Sequence, residues 1–175
     1  MTELSQIVEQ KEQRGTGHAV QQCIPALAGF AGDVVILSGD TPLLRPETLG
    51  GLIAAHQERN NSATVLTATL SNPSGYGRII RRGGQVVGIV EQKDATDEQK
   101  NLNEINTGIY CFKQDKLIEA LGTLTNDNAQ GEYYLTDTLA YLVEKGESVG
   151  AVILKDPNEA LGVNSREQLA QVEKI

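Results

Sequence analysis

Three polar side chains, Asp40, Glu91 and Asn106, follow or interrupt hydrophobic runs of the sequence, where a fold can present them to a ligand. A carboxylate such as Asp40 at the end of a strand can bind Mg²⁺, because water and substrate phosphates complete the shell around one or two protein carboxylates. The carboxylate of Glu91 and the amide of Asn106 can bind sugar hydroxyls. The residues alone leave a second interpretation open, in which Asp40 caps a turn and the other two are surface or turn residues.

Four further residues could contribute to a site, and each has a structural alternative. Gly77 either lets a ligand approach the backbone closely or is a plain hairpin glycine. His18 has no Ser or Cys at a spacing that would make it a catalytic base, so we interpret it as structural. Tyr133 and Tyr134 either pack against the core or form a wall for a base or an acyl group.

The composition limits the kind of protein this can be. The 175 residues carry 15 Lys and Arg against 23 Asp and Glu, and the net charge of -8 argues against a nucleic-acid partner, which needs clustered cations. No apolar run approaches the roughly 20 residues of a membrane-spanning helix, and the N-terminus lacks a secretory pattern. We therefore expect one cytoplasmic domain, 1–175, with no membrane partner. Cys23 and Cys111 are expected as reduced thiols in the core.

Short apolar strands alternate with helical stretches, which predicts an α/β fold with helices on the faces of a sheet. The β-branched run 33–37 is typical of a strand buried on both faces of a mainly parallel sheet. The glycine pair 83–84 predicts a hairpin that forms an antiparallel insert. The predicted strands are 33–37, 63–70, 78–81, 86–90, 105–112 and 149–154, and the predicted helices cover about 18–25, 46–57, a start at 96, 135–143 and 165–172.

Seven short strings connect these residues to a known family. They occur in the order QKEQRGTGHA from Gln10, LSGDTPL from Leu37, SGYGRI from Ser74, VEQKDA from Val90, EINTGI from Glu104, NAQGEYYLT from Asn128 and GVN from Gly162. Together they closely resemble the uridyltransferase domain of the bacterial bifunctional enzymes that make UDP-N-acetylglucosamine, over nearly the whole chain. The resemblance implies a Rossmann-like mixed sheet of the nucleotide-diphospho-sugar transferase type.

The resemblance also implies an activity: UTP and N-acetylglucosamine-1-phosphate react with Mg²⁺ to give UDP-N-acetylglucosamine and pyrophosphate, for peptidoglycan and lipopolysaccharide precursors. By matching motif, the residues that would hold Mg²⁺ are Asp40 and Asn164. The nucleotide-binding residues would be Gln10, Gly15, Thr16, Ser38, Gly39 and Asp40. The sugar-binding residues would be Gly77, Glu91, Asn106, Glu132, Tyr134, Thr136 and Asn164. Ser38 stands where the family often has Tyr, so only its backbone contact is carried over.

The chain also departs from the family pattern. That pattern begins with a strand and a glycine-rich loop carrying an Arg, followed by a Lys, which grip the triphosphate, and it ends with a β-helix that carries acetyl transfer. Neither part is present, so we expect a domain incomplete at its N-terminus, with impaired turnover alone and no acetyltransferase activity. Another sugar-1-phosphate nucleotidyltransferase and a non-catalytic nucleotide-sugar binding module remain as alternatives. A homo-oligomer stays open, because the trimer of the family forms through its β-helix.

Overall fold

A computed structural model describes residues 5–163 and 165–174, and within them six strands form one sheet with helices on its faces. The strands are β1 Asp33–Ile36, β2 Ala63–Thr69, β3 Arg78–Arg82, β4 Gln85–Val90, β5 Glu104–Lys113 and β6 Val149–Ile153. The helices are α1 Thr16–Gln22, α2 Ile24–Leu27, α3 Pro46–Glu58, α4 Asp97–Lys100, α5 Gln114–Leu121, α6 Asp137–Glu144 and α7 Arg166–Val172, with a 3-10 helix at Pro157–Ala160. None of these helices is long and apolar enough to cross a bilayer.

The sheet is mixed, with the order β4-β3-β5-β2-β6 and with β1 also paired to β5. Only β2 and β6 run parallel among the described pairs, so the expectation of a mainly parallel sheet is wrong. The expectation that β1 is buried on both faces is also wrong, since all four of its residues are half-buried. The physical reason is that, within the described ranges, β1 pairs with β5 alone and its other edge has no neighbouring strand.

Alternating side chains of β2 and β5 divide the core into two layers. On one face, Val65 and Phe112 pack with the apolar side of α5 and α6. On the other face, Leu66 and Ile109 pack with α3, through Leu52. This alternation is the period of two that a strand imposes on its side chains, and it covers both faces of the sheet centre with helices.

Most of the predicted elements are confirmed within a few residues. The two-residue turn at Gly83 and Gly84 closes the β3–β4 hairpin with positive φ at both positions, as a tight hairpin requires. Thr96 forms a capping box at the start of α4. The helix expected over 18–25 is divided after Gln22, because Pro25 suits the first turn of a new helix better than the interior of an existing one.

Two details of the packing differ from expectation. Helix α5 was not predicted, although its apolar positions follow a helical spacing, because it begins directly at the end of a strand without a turn signal. Cys111 is fully buried as a free thiol, as expected, but Cys23 is only half-buried at the end of α1. The short α1–α2 layer covers Cys23 incompletely.

The buried His56 makes stability depend on pH. Its side chain is 1% exposed, with Nδ1 2.9 Å from Thr64 Oγ1 and Nε2 3.4 Å from Asp33 Oδ1. Burial lowers the pKa of His56 below its ordinary value near 6.5, and the attraction of Asp33 offsets only part of this effect.

We predict that the free energy of unfolding falls as the pH is lowered through about 6.5, because the unfolded chain then binds a proton that folded His56 resists. The loss should level off once the folded imidazole is protonated too. Urea titrations between about pH 8 and about pH 5 should show a smaller loss for His56→Gln than for the wild type. Equal losses in the two proteins would contradict this role for His56.

Candidate functional site

Two strands, β1 and β3, lie end to end along one edge of β5 and are separated by a gap. β1 ends at Ile36 opposite Tyr110, and β3 begins at Arg78 opposite Ile105. The β5 residues between these pairings, 106–109, therefore face a gap between the two strands. Since β1 and β3 both run antiparallel to β5, the residues that follow β1 and those that precede β3 arrive at this gap together.

On its opposite edge, β5 carries extra residues relative to β2. Val65 faces Tyr110 and Thr67 faces Asn106, so a step of two residues on β2 corresponds to four on β5. Thr107 Oγ1 donates a hydrogen bond of 2.7 Å to a carbonyl of β2 inside this irregularity. The bulge interrupts the regular ladder opposite the gap, which is where bulges re-aim side chains.

Gly108 lies at the centre of the bulge. Its φ of +78° is one that side chains rarely adopt, and a Cβ there would lie 2.6 Å from Ser38 Oγ. Ser38 Oγ donates to Gly108 O at 3.3 Å, and Gly108 N donates to Asn106 Oδ1 at 3.0 Å. Asn106 Nδ2 in turn donates to Tyr110 Oη at 2.7 Å. These bonds fix the amide of Asn106 at the gap.

A cavity of about 310 Å³ opens at the gap, near the lower end of the roughly 300–1,000 Å³ typical of small-molecule sites. The loop 74–76, the β5 backbone at 107–108 and the segment around Gly162 complete its walls. A larger cavity of about 430 Å³ beside β6 is lined by none of the residues that the sequence singled out. Five of those residues line the cavity at the gap, and these are Ser38, Asp40, Gly77, Glu91 and Asn106.

Gly77 lets the wall of the cavity close. A Cβ at this position would lie 3.1 Å from Ile89 Cγ2, 3.3 Å from Glu91 Oε2 and 3.5 Å from Asn106 Cβ. The carbonyl of Gly77 also accepts a 2.9 Å hydrogen bond from Asn106 N. The turn of the hairpin lies elsewhere in the chain, so the interpretation of Gly77 as a plain hairpin glycine is wrong. The missing side chain brings the two polar groups close to the loop.

Asp40 lies beyond the end of β1, in a turn where Thr41 Oγ1 donates to Ser38 O at 3.0 Å. Its carbonyl accepts a 2.8 Å hydrogen bond from Val163 N, which joins this turn to the C-terminal segment. Asn164, predicted as the second metal ligand, lies outside the described residues. The described part of the chain holds no group of three or more His, Cys, Asp or Glu that could bind a metal. One carboxylate at the wall of a cavity is compatible with Mg²⁺, which takes most of its ligands from water and substrate.

Glu91 lies at the end of β4 with its carboxylate half-buried at the cavity. Thr136 Oγ1 donates to Glu91 Oε1 at 3.0 Å. Burial raises the pKa of Glu91, the hydrogen bond from Thr136 opposes this shift, and the nearby carboxylates of Asp137 and Asp94 raise the pKa further. A carboxylate held in this way has few donors from the protein, and the hydroxyl groups of a ligand would stabilise its charged form.

A second group of predicted residues packs against the segment 133–135. Gly17 N donates to Tyr133 O at 2.8 Å, and Leu135 N donates to Thr16 Oγ1 at 3.1 Å. A Cβ at Gly15 would lie 2.6 Å from Tyr133 O. The glycines therefore allow two backbone segments to run in direct contact, which a longer side chain would prevent.

Gln10 is held at the edge of this second group. Its Nε2 donates to Gly15 O at 3.1 Å and lies 2.9 Å from His18 Nδ1. His18 thus contacts Gln10, the side chain predicted to bind uracil. This contact is compatible with the interpretation of the imidazole as structural. The ring of Tyr133 lies on the same side, with the Arg14 guanidinium 5.1 Å above its centroid. None of these residues lines the cavity at the gap.

The remaining predicted residues connect the two groups. Thr136 is 3% exposed and bonds to Glu91, while Tyr134 is 6% exposed and donates from its hydroxyl to Asp94 Oδ2 at 3.1 Å. Glu132 is half-buried on the loop that precedes them. Gly39 is exposed in the Asp40 turn. Their roles in binding stay predictions.

Arg78 supports the loop 74–76 of the cavity and was not predicted from the sequence. Its side chain is 1% exposed, and the guanidinium donates to Tyr76 O and, at 3.3 Å, to Lys100 O. Nε has no hydrogen-bond partner among the described residues, and burial lowers the pKa of Arg78. The arginine therefore ties the loop 74–76 to the C-terminal end of α4. In the sequence, Arg78 was marked only by its position directly after Gly77 in the string SGYGRI.

The fold resembles that of a known sugar-nucleotide enzyme. The crystal structure of UDP-glucose pyrophosphorylase complexed with UDP-glucose superposes with a TM-score of 0.69, over 95% of this chain and 63% of that one. The two sequences are 20% identical over this match, so the likeness shows the fold alone. It confirms the predicted mixed α/β sheet of the nucleotidyltransferase type.

Comparison of sequences identifies the family. The protein named Bifunctional protein GlmU from Syntrophotalea carbinolica is 55% identical over 166 residues, which are 95% of this chain and 36% of that protein. The protein of the same name from Streptococcus suis is 52% identical over 98% of this chain and 37% of its own length. These relatives confirm the resemblance carried by the seven strings, and the chain spans just over a third of their length. Residues 3–158 match the family model described as Nucleotidyl transferase, and the chain belongs to that family.

Proposed function

We propose that this chain is a uridyltransferase domain that joins UTP and N-acetylglucosamine-1-phosphate into UDP-N-acetylglucosamine and pyrophosphate, for the synthesis of cell-wall precursors. The cavity at the β5 gap carries the proposal, because Asp40, Glu91 and Asn106 converge there beside a glycine-containing loop. Membership of the family supports nucleotidyl transfer, and the relatives at more than half identity support this choice of substrates.

The geometry suits a reaction that depends on positioning. An oxygen of the sugar phosphate attacks the α-phosphorus of UTP, the bond from that phosphorus to the bridging oxygen breaks, and pyrophosphate leaves. The attacking oxygen is already anionic, so the chain needs no strong base. Its residues have to hold the two phosphates in line and keep the sugar in one orientation.

Glu91 and Asn106 are proposed to hold the N-acetylglucosamine. The Glu91 carboxylate accepts from hydroxyl groups. Burial raises the pKa of Glu91, and the hydrogen bond from Thr136 opposes this shift, so hydroxyl donors of a bound sugar would stabilise the charged form further. The amide of Asn106 keeps one free hydrogen and one free lone pair after its bonds to Tyr110 and Gly108. Gly77 lets both groups approach the loop 74–76, so that they face the same part of the cavity.

The uridine end is proposed to lie along the second group. Gln10 offers a donor and an acceptor to the imide edge of uracil, beside Gly15 and Thr16. Nucleotidyl transferases generally use a divalent metal ion, and we propose Mg²⁺, held by Asp40 with Asn164. When bound, the ion neutralises charge on the phosphate oxygens. The part of Asp40 is to keep its carboxylate at the cavity wall, where the bond from Val163 fixes its backbone.

The binding of nucleotide sugars tests this function. In isothermal titration calorimetry with Mg²⁺, the 175-residue chain should bind UDP-N-acetylglucosamine more tightly than UDP-glucose, which lacks the acetamido group, and than GDP-mannose, which lacks uracil. Equal affinity for all three ligands, or binding of none, would contradict the proposal.

Two alternatives are separated by further measurements. Preference for another nucleotide sugar in the same titrations would favour a different sugar-1-phosphate nucleotidyltransferase. Binding of UDP-N-acetylglucosamine with pyrophosphate release no faster than in the absence of protein would favour a binding module, whereas slow but detectable release from UTP and N-acetylglucosamine-1-phosphate fits the impaired turnover expected of this chain alone. The cytoplasmic location stays a prediction, and a homo-oligomer stays open.

We predict that Glu91→Gln weakens binding of UDP-N-acetylglucosamine by about tenfold or more, because a hydrogen bond to a charged group contributes on the order of 1.5–3 kcal/mol. The same substitution should not destabilise the fold at neutral pH. The raised pKa means that the folded chain holds the proton of Glu91 more tightly than the unfolded chain does. Ionisation of Glu91 therefore lowers the free energy of unfolding as the pH rises through the folded pKa. The variant's melting temperature should therefore equal or exceed that of the wild type at pH 7.5, and the difference should shrink near about pH 4.

A matched control is Glu98→Gln, which neutralises an exposed carboxylate on α4. It should leave both the affinity and the pH dependence of melting unchanged. A large loss of stability in Glu91→Gln at neutral pH, or unchanged affinity, would show that Glu91 is a structural residue.

A further inference from the structure

The buried carboxylate of Glu159 caps a helix far away in the sequence. Glu159 belongs to the 3-10 helix Pro157–Ala160 and is 4% exposed. Its Oε2 accepts from Arg45 N at 3.0 Å and from Thr48 Oγ1 at 2.6 Å. Arg45 is the N-cap residue of α3 and supplies no side-chain cap of its own. Glu159 therefore binds the backbone of the N-cap residue and the hydroxyl of Thr48 in the first turn of α3, and it places a negative charge at the positive end of the helix.

The described residues give a second hydrogen bond between the same pair of segments. The chain from Asp40 to Arg45 leads from the cavity into α3, and the chain from Glu159 to Val163 leads from the 3-10 helix past the same cavity. Val163 N bonds to Asp40 O at 2.8 Å at one end of this pair, and Glu159 bonds to Arg45 N at the other. An ion pair between Arg45 and Asp156 lies at the exposed surface, where such pairs contribute little.

We propose that Glu159 is a positioning residue, which fixes the Asp40 wall of the cavity by holding the segment 159–163 against the start of α3. Among the described residues of the segment 159–163, Glu159 is the one that binds the first turn of α3 with a buried charge. Without the carboxylate, the buried hydrogen bonds from Arg45 and Thr48 to this segment would be lost, while the hydrogen bond from Val163 to Asp40 would remain. The inference deepens the proposed function, because Asp40 is the group that would hold the phosphate-bound cation.

Amide hydrogen exchange tests the link without any ligand. In Glu159→Ala, exchange at Val163 and Arg45 should become at least about tenfold faster, while exchange at Tyr110 in the sheet core stays as in the wild type. Glu159→Gln should restore most of the protection, because its amide oxygen can still accept from Arg45 N. The control for a general loss of stability is Leu117→Ala, in the core on the opposite face of the sheet, which should not speed exchange at Val163 selectively.

Titration with Mg²⁺ then tests the consequence for the cavity. The Mg²⁺ concentration that gives half-maximal binding of UDP-N-acetylglucosamine should rise several-fold in Glu159→Ala and stay near the wild-type value in Glu159→Gln and Leu117→Ala. The proposal is overturned if exchange at Val163 is unchanged in Glu159→Ala, if Leu117→Ala speeds it equally, or if the Mg²⁺ requirement does not move. Failure of the wild type to bind UDP-N-acetylglucosamine would reject the proposed function instead, and the exchange rates would still decide whether Glu159 holds the two segments together.

Discussion

The break in the pairing of β5 is the constraint on which the site depends. One long strand keeps β2 along one edge and divides its other edge between β1 and β3. A continuous neighbour would have consumed the backbone groups of 106–109 in a regular ladder and left no room for a cavity. The bulge at Gly108 directs these groups to Ser38 and to the side chain of Asn106 instead, so they stay satisfied while the sheet opens.

The same break explains why the polar residues can be buried without unfolding the protein. The two apolar layers on either face of β2 and β5 are complete, and the site lies beside them rather than inside them. The charge of Glu91 lowers the stability of the fold, since burial and the neighbouring acidic groups disfavour the charged form. A site that keeps a carboxylate short of donors is one that gains when a ligand brings hydroxyl groups. Under the proposed function, stability and binding are thus opposed at Glu91.

The supports of the cavity come from outside its walls. Arg78 fixes the loop 74–76 through main-chain carbonyls, and Thr136 holds the carboxylate of Glu91 from the start of α6. The Asp40 turn rests on Val163, which lies more than a hundred positions later in the chain. Two of these supports, Arg78 and Thr136, lie on or at the start of β3 and α6, which contribute residues to one of the core layers, so the rigidity of the core reaches the site through them.

Local periodicity, turn chemistry and motifs of a few residues were enough to predict the strands, the hairpin, the helix start at Thr96 and the polar residues Asp40, Glu91 and Asn106. The sequence also indicated the family through seven strings in register. It could not indicate that β1 is half-buried, that Gly77 is small to admit Glu91 and Asn106, or that Arg78 and Glu159 support the walls. Those properties depend on which strand lies beside which, and pairings between distant segments are decided only when the whole sheet closes around its core.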